Sequence, residues 1–408
     1  MAESLPVHPH VRDLLGRLHG AGHEAFIVGG AVRDLLLGRE PKDYDVATSA
    51  TPEDVRRVFG RAARIIGRRF RLAHVYHGRT YYEVSTFRRE PTPEERRTRE
   101  TDDGVMIWQD NQFGTLEQDG ARRDFTVNAI YYNPLGEPAF RDFCGGTQDL
   151  RNGVVRAIGD PSVRLAEDPV RVLRALKLVA EYDFRLDDSL AGPVRESAPS
   201  IVHSSSTRLY EELLKIARKP YTARTFSIFH EQGLLAHYLP AMAQLWDLPG
   251  YGDLLRRLLA ERDRRFVAPN YSRSRALALA TAALPRVLAA LDVPAGELWE
   301  HDEGIEKTIR ETVRTYYSPL PVPRVLSARA RDILLLLPRF RSPGHRRRLL
   351  HNPEYRYARE LYSLLTRVCD WDPAVIDPWP VFGDYVPEPR GLRQKHMHRS
   401  HHKEWEET

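Results

Sequence analysis

The chain has 408 residues, 42% of them hydrophobic and 29% charged, with a formal net charge of +5 at pH 7; this length exceeds what one core usually supports, so two or three domains are expected. The positive excess is small, so it suits an anionic partner without distinguishing RNA from an ordinary surface. Two distant cysteines, Cys144 and Cys369, argue against a disulfide framework or zinc site, and with no signal-like start or membrane-length apolar run they point to a cytoplasmic protein without membrane contact.

Residues 11–20 read as an amphipathic helix with Leu14, Leu15 and Leu18 on one side. Ala25–Val28 follows as a buried strand, then a diglycine turn at Gly29 and Gly30, a short helix over 31–37 stopped by Gly38, and a second strand around 43–47. Alternate residues of a strand share a face, so Asp43 and Asp45 are expected side by side. Neighbouring carboxylates repel unless a cation lies between them, and Mg²⁺, which favours oxygen ligands and phosphate, is the expected occupant beside a nucleotide. Without side chains at 29 and 30, backbone N–H groups approach a polyphosphate closely. Alone, an Asp-x-Asp pair is more often a solvated loop and a Gly-Gly pair a turn. In this order and this close, the two imply metal-assisted phosphoryl or nucleotidyl transfer. Neither a Gly-x-x-x-x-Gly-Lys-Ser/Thr loop nor a three-glycine dinucleotide fingerprint is present.

Thr51-Pro52-Glu53-Asp54 reads as an N-cap, a first-turn proline and first-turn acids, opening a helix to Phe59. Strands are expected at 65–66, Leu72–His77 and 81–87, the last two joined through Gly78, giving a small mixed α and β domain with a curved sheet that ends near residue 150. Residues 88–120 turn polar and read as a long mobile loop. After about Ser162 helical periodicity takes over, with Val170, Leu173, Leu176 and Val179 on one face and Leu209, Leu213 and Ile216 on another. A helical array then runs to about 368 with breaks near 268–270 and 318–321, and the Pro-, His- and Arg-rich tail beyond Asp370 is expected to be poorly ordered.

Glu83 lies where a sheet brings it beside Asp43 and Asp45 as a third carboxylate; an ordinary strand glutamate facing solvent is the plainer reading. Asp124, after Arg122 and Arg123, is a second candidate for metal or ribose, with the arginines reaching phosphates as planar forks; a helix N-cap is its plainer reading. Asp168, Arg171 and Arg174, at spacings of three, share one helix face able to read a base edge, or else form a salt-bridged surface. Arg208 with Glu211 and Glu212 repeats that geometry. Arg324, Arg329, Arg331, Arg339, Arg341, Arg346, Arg347, Arg348, Arg356 and Arg359, with interleaved tyrosines, suit RNA or a solvated face equally.

Five segments in order, Val28-Gly29-Gly30-Ala31-Val32-Arg33-Asp34, Lys42-Asp43-Tyr44-Asp45-Val46, Arg122-Arg123-Asp124-Phe125-Thr126-Val127-Asn128-Ala129, Glu167-Asp168-Pro169-Val170-Arg171 and Arg208-Leu209-Tyr210-Glu211-Glu212, closely resemble the bacterial poly(A) polymerase and tRNA nucleotidyltransferase family. The resemblance covers about residues 5–370 and implies an α+β fold: a polymerase-beta-like nucleotidyltransferase head with a curved mixed sheet (1–150), an all-α neck with a nucleobase-binding face (151–220), a helical RNA-binding body (221–370) and a flexible tail (371–408). Residues 65–75 and 322–353 resemble the polyadenylating branch, although the tail lacks that branch's longer arginine-rich extension.

The resemblance further implies that Asp43 and Asp45 carry two Mg²⁺ ions, with Glu83 or Asp124 as third acid. Gly29, Gly30, Arg33, Asp34, Arg123 and Asn128 would hold the nucleotide, and Asp168, Arg171 and Arg174 would select adenine. Arg324, Arg346, Arg347 and Arg348 would meet RNA. The expected activity is template-independent addition of AMP from ATP to RNA 3′ ends by a monomer. CCA addition to tRNA is the nearest alternative, and a catalytically silent RNA-binding scaffold is the second.

Overall fold

Strand β1 (Ala25–Val28) is wholly apolar and all four side chains are buried, as expected of a strand covered on both sides. It pairs antiparallel with β2 (Asp45–Thr48) on one edge and β6 (Ile130–Tyr132) on the other. The computed structural model describes residues 5–67, 71–90, 112–300, 304–341 and 349–381. With β3 (Ala63–Ile66), β4 (Leu72–His77), β5 (Thr80–Thr86) and β7 (Phe140–Asp142), the sheet has seven strands in the order β3-β4-β5-β2-β1-β6-β7. Among the described residues of this sheet only the β2–β5 pair is parallel, and the helix Pro52–Phe59, begun by a capping box between Thr51 and Asp54, lies in the crossover joining them.

Alternation divides the sheet into two faces. Ile27, Val46, Val84, Tyr82, Ala73 and Val75 face one side and are buried. On the other side Phe26, Val28 and Ala47 join Phe87, Leu116 and Tyr131 in a compact apolar cluster. That cluster covers only one end of this face. Toward the start of β2 the same face opens to solvent at Asp45, Glu83 and Tyr81.

The chain forms two compact units, residues 1–171 with 182–194, and residues 172–181 with 195–408. The first extends past residue 150 because Val154–Val155 forms a short parallel ladder with Arg185–Leu186, pieces too brief to leave a periodic signal. In the second, the helix Arg275–Ala290 is buried along most of its length among the helices Tyr251–Phe266, Ile305–Tyr316 and Arg324–Leu336. No described helix is long and apolar enough to cross a membrane.

Four expectations are corrected. Strand β2 begins at Asp45, because its first rung pairs with Val28 and β1 then leaves the sheet at Gly29 (φ +76°), so Asp43 has no β1 residue to pair with and sits in a bend. The supposed loop contains a helix, Leu116–Ala121, capped reciprocally by Thr115 and Gln118; residues 91–111 of that stretch lie outside the described residues. Asp168 is extended (φ −147°, ψ 92°) between the helices Pro161–Glu167 and Val170–Tyr182, because Pro169 interrupts them, so it shares no continuous helix with Arg171. The first part of the tail is packed: Trp379 is 1% exposed, donates from Nε1 to the Phe340 carbonyl and meets the Phe340 ring edge-on. The expected disorder of 382–408 lies outside the described residues.

Candidate active site

Asp45 and Glu83 are Cα partners across the parallel β2–β5 ladder, so their carboxylates leave the same face one strand apart, both exposed. Asp43, two residues upstream, is also exposed, with Lys42 3.9 Å away. Burial raises the Tyr81 hydroxyl above its ordinary pKa, and the charges of Glu83 and then Asp43 add to it, so both acids lie within electrostatic reach of that ring. Among the described residues no group of three or more His, Cys, Asp or Glu forms a ready-made metal cage. An open set of two or three carboxylates nevertheless suits Mg²⁺, which takes one or two protein carboxylates and completes its octahedron with water and phosphate oxygens.

Gly29 borders this set. A Cβ there would lie 3.6 Å from Asp45 Oδ2 and 3.9 Å from Arg123 Nη1, so the bare backbone leaves an opening between a carboxylate and a guanidinium. Arg123 is fixed from behind. Its Nε donates to Tyr131 Oη (3.0 Å) and Asp119 Oδ2 (3.2 Å), its Nη2 donates to Asp119 Oδ2 (2.9 Å), and Tyr131 donates to the same oxygen (2.6 Å). The Asp119 side chain is only 5% exposed; burial alone would raise its pKa, but Arg123 and Tyr131 outweigh that and hold it below the ordinary value. Asp119 and Tyr131 escaped the sequence reading, although Asp119 stands four residues before Arg123, the spacing of a helical ion pair.

Arg33 and Asp34 are placed differently. The Arg33 side chain is 10% exposed: Nη1 donates to Asn128 Oδ1 (2.6 Å), Nη2 to Tyr182 Oη (2.6 Å), and Nε and Nη2 to Asp34 Oδ1. Tyr182 donates to Asp34 as well (2.7 Å). These bonds tie the helix Gly30–Leu36 to Asn128 and Tyr182 and hold the Arg33 guanidinium against Gly30, with Nη2 3.2 Å from where a Cβ would lie, whereas Arg123 borders Gly29. Asp124 is buried, and its Oδ1 accepts from the Phe125 N–H (2.8 Å) and Asn128 Nδ2 (3.2 Å), whereas Glu83 shares Asp45's rung.

Asp168 Oδ1 accepts from the Val170 N–H at 3.3 Å. Arg171 turns back, donating from Nη1 to the Arg164 carbonyl (2.6 Å) and Glu167 (3.3 Å). Buried Arg164 in turn donates from Nη2 to the carbonyls of Arg122 (2.5 Å) and Arg123 (2.9 Å). The segment carrying Arg123 is therefore wired to the one carrying Arg171. Arg174 is exposed and belongs to the other unit. In that unit Glu212 is buried between Lys177 and Lys215; burial alone would raise its carboxyl, but the two lysines hold it down to about 2. Of the basic residues expected to meet RNA, Arg324 is exposed at the start of its helix, and Arg346, Arg347 and Arg348 lie outside the described residues. Arg329 instead pairs with Glu354, and Arg359 donates to the Trp379 carbonyl.

Known proteins resemble this chain in sequence and in fold. Residues 25–156 match the family described as Poly A polymerase head domain, and residues 183–245 match one described as probable RNA and SrmB-binding site of polymerase A. The chain is 43% identical to Poly(A) polymerase I of Haemophilus influenzae over 233 residues, 57% of this chain and 51% of that relative, so this match spans about half the relative's length. With Poly(A) polymerase I of Escherichia coli O6:H1 it shares 36% identity over 359 residues, 86% of this chain and 77% of the relative. Its fold is similar to the crystal structure of the Bacillus stearothermophilus CCA-adding enzyme in complex with CTP, with a TM-score of 0.63 and 28% identity over 91% of this chain and 82% of that one. The chain belongs to the class II tRNA nucleotidyltransferase and poly(A) polymerase family, with the bacterial poly(A) polymerase I group.

Proposed function

We propose that this nucleotidyltransferase is a polynucleotide adenylyltransferase, which joins AMP from ATP to RNA 3′ ends without a template. The observation that carries the transfer chemistry is the Asp45–Glu83 rung beside the bare Gly29 turn, with Arg123 aimed at the same opening. The named relatives and the segment at residues 65–75 support adenylation as its specific form.

Asp45, with Asp43 and Glu83, would hold Mg²⁺, which fits this open donor set. Bound there, the ion would acidify the attacking hydroxyl and neutralise charge on the departing pyrophosphate. Arg123, held by Asp119 and Tyr131, offers a planar fork to the triphosphate without reorganising during reaction. The terminal 3′-oxygen bonds to the α-phosphorus as the bond to the β-phosphate oxygen breaks in line on the far side, releasing pyrophosphate and one proton. Adenine recognition falls to Asp168, whose carboxylate would accept from the exocyclic amino group, and to Arg171, which would exchange its bond to the Arg164 carbonyl for a ring nitrogen.

Incubating the protein with Mg²⁺, a generic RNA or a CCA-less tRNA, and each nucleotide alone or CTP and ATP together tests this reading. Long tails from ATP alone support it. Addition stopping after C, C and A would instead make the chain a CCA-adding enzyme, the reading favoured by its likeness to the CTP complex. No incorporation would leave an RNA-binding scaffold.

A further inference from the structure

The exposed sheet face does not end at the carboxylates. The rung that joins Asp45 to Glu83 continues to His74 on β4 and Arg64 on β3. Beside it, Tyr81 on β5 pairs with Tyr76 on β4. Tyr81 is a large aromatic residue left 47% exposed. One of its faces stacks on His74 (centroids 4.2 Å apart, planes 19° apart), Tyr76 lies 5.8 Å away, and Arg64 sits over the Tyr76 ring at 5.2 Å. Three inter-strand spacings separate Asp45 from Arg64, about 14 Å. Aromatic planes flanked by a guanidinium are what a single-stranded nucleic acid needs, with bases on the rings and a phosphate on the cation.

In-line transfer decides which strand lies there. Gly29 follows β1, on one side of β2, whereas β5, β4 and β3 extend on the other. A triphosphate at the Gly29 opening sends its leaving pyrophosphate toward the β1 side, and the attacking hydroxyl must come from the opposite side of the α-phosphorus. Resting on the nucleotidyl-transfer reading above, the geometry points to the β5–β4–β3 face as the platform for the single-stranded 3′ end of the acceptor RNA, with Tyr81 stacking on a terminal base and Arg64 holding a backbone phosphate. The site thus has two halves divided by Asp45: nucleotide toward β1, acceptor toward β3.

The test uses the 408-residue chain and an oligoadenylate bearing 2-aminopurine at its 3′ terminus or several nucleotides upstream, without ATP or divalent ion, so that it reads binding whatever nucleotide the enzyme incorporates. Quenching is expected to be stronger at the terminal position. Tyr81→Ala should weaken binding about tenfold and abolish that difference, while Tyr81→Phe retains both. Arg64→Ala should lower the slope of log affinity against log salt by about 0.7, the share of one phosphate contact on a single strand. In turnover, Tyr81→Ala should raise the KM for the RNA and leave that for ATP unchanged, and a melting temperature near wild type would separate this from lost hairpin packing. Equal quenching at both positions, or affinity and RNA KM of Tyr81→Ala within twofold of wild type, overturns the platform. Wild-type protein that binds the oligonucleotide in this way but incorporates no ATP would sink the adenylyltransferase reading alone.

Discussion

Asp45 of β2 and Glu83 of β5 meet on a parallel rung although 37 intervening residues, including a crossover helix, separate them in the chain. Two like charges on adjacent strands repel. Asp45→Asn is expected to reduce nucleotide incorporation by about a thousandfold, since metal-held charge stabilisation is worth several kcal/mol. Glu83→Gln should lose less. The gain in melting temperature on adding Mg²⁺ should shrink in both. Thermal melts with and without Mg²⁺, beside single-turnover rates, check this.

Gly29 has φ +76° and ψ −142°, a region that side-chain-bearing residues avoid. Gly29→Ala should therefore cost about 1–3 kcal/mol of stability and raise the KM for ATP, because the turn must shift to relieve the strain. Unfolding in urea and nucleotide titration of the rate separate the two effects.

Tyr131 donates to Asp119 and accepts from Arg123 through one hydroxyl. Tyr131→Phe leaves the ion pair but frees the guanidinium to tilt, at a cost of about 1–3 kcal/mol in stability. The KM for ATP should rise several-fold while affinity for RNA stays near wild type. An unchanged KM would remove Arg123 from the triphosphate.

The Glu212 carboxyl, held down to about 2 by Lys177 and Lys215, makes part of the helical unit acid-sensitive. Because the folded pKa is depressed from 4.5, this contribution is fully present above about pH 4.5 and is lost as pH falls toward 2. Burial lowers the pKa of the Lys177 ammonium and offsets part of it, leaving a contribution on the order of a few kcal/mol at neutral pH. Glu212→Gln should start about that much less stable and lose less on acidification, which chemical denaturation across pH 3–7 would reveal.

Trp379 anchors residues 371–381 on Phe340. Trp379→Ala should destabilise the helical unit by about 3–5 kcal/mol, and truncation after Asp370 by at least as much.

Much of the candidate site was legible because its signals are local. The diglycine turn, Asp43, Asp45 and the capped helix at Thr51 each follow from a few neighbouring residues, and strands 72–77 and 81–87 from alternation. Asp119 and Tyr131 stayed hidden because a buried ion pair looks, in one dimension, like any charged helix turn beside an apolar strand. The β8–β9 ladder, Val154–Val155 with Arg185–Leu186, was lost because two residues have no period. Trp379 was lost because composition around it resembles a solvated tail.

From the residues alone came the candidate chemistry, with oxygen ligands suited to a hard cation, a side-chain-free turn suited to phosphate and arginines suited to planar anions, and the helical periodicity of the second half of the chain. Folding alone decided which of these groups cooperate. The register of β2 against β5 put Glu83 rather than Asp124 on the rung with Asp45, and the contacts of Arg33 with Asn128 and Tyr182 hold it against Gly30 while Arg123 borders Gly29. Residue type sets what a side chain can bind, but pairing between distant segments sets where it points, and that pairing is governed by burial of the whole sheet rather than by any local run.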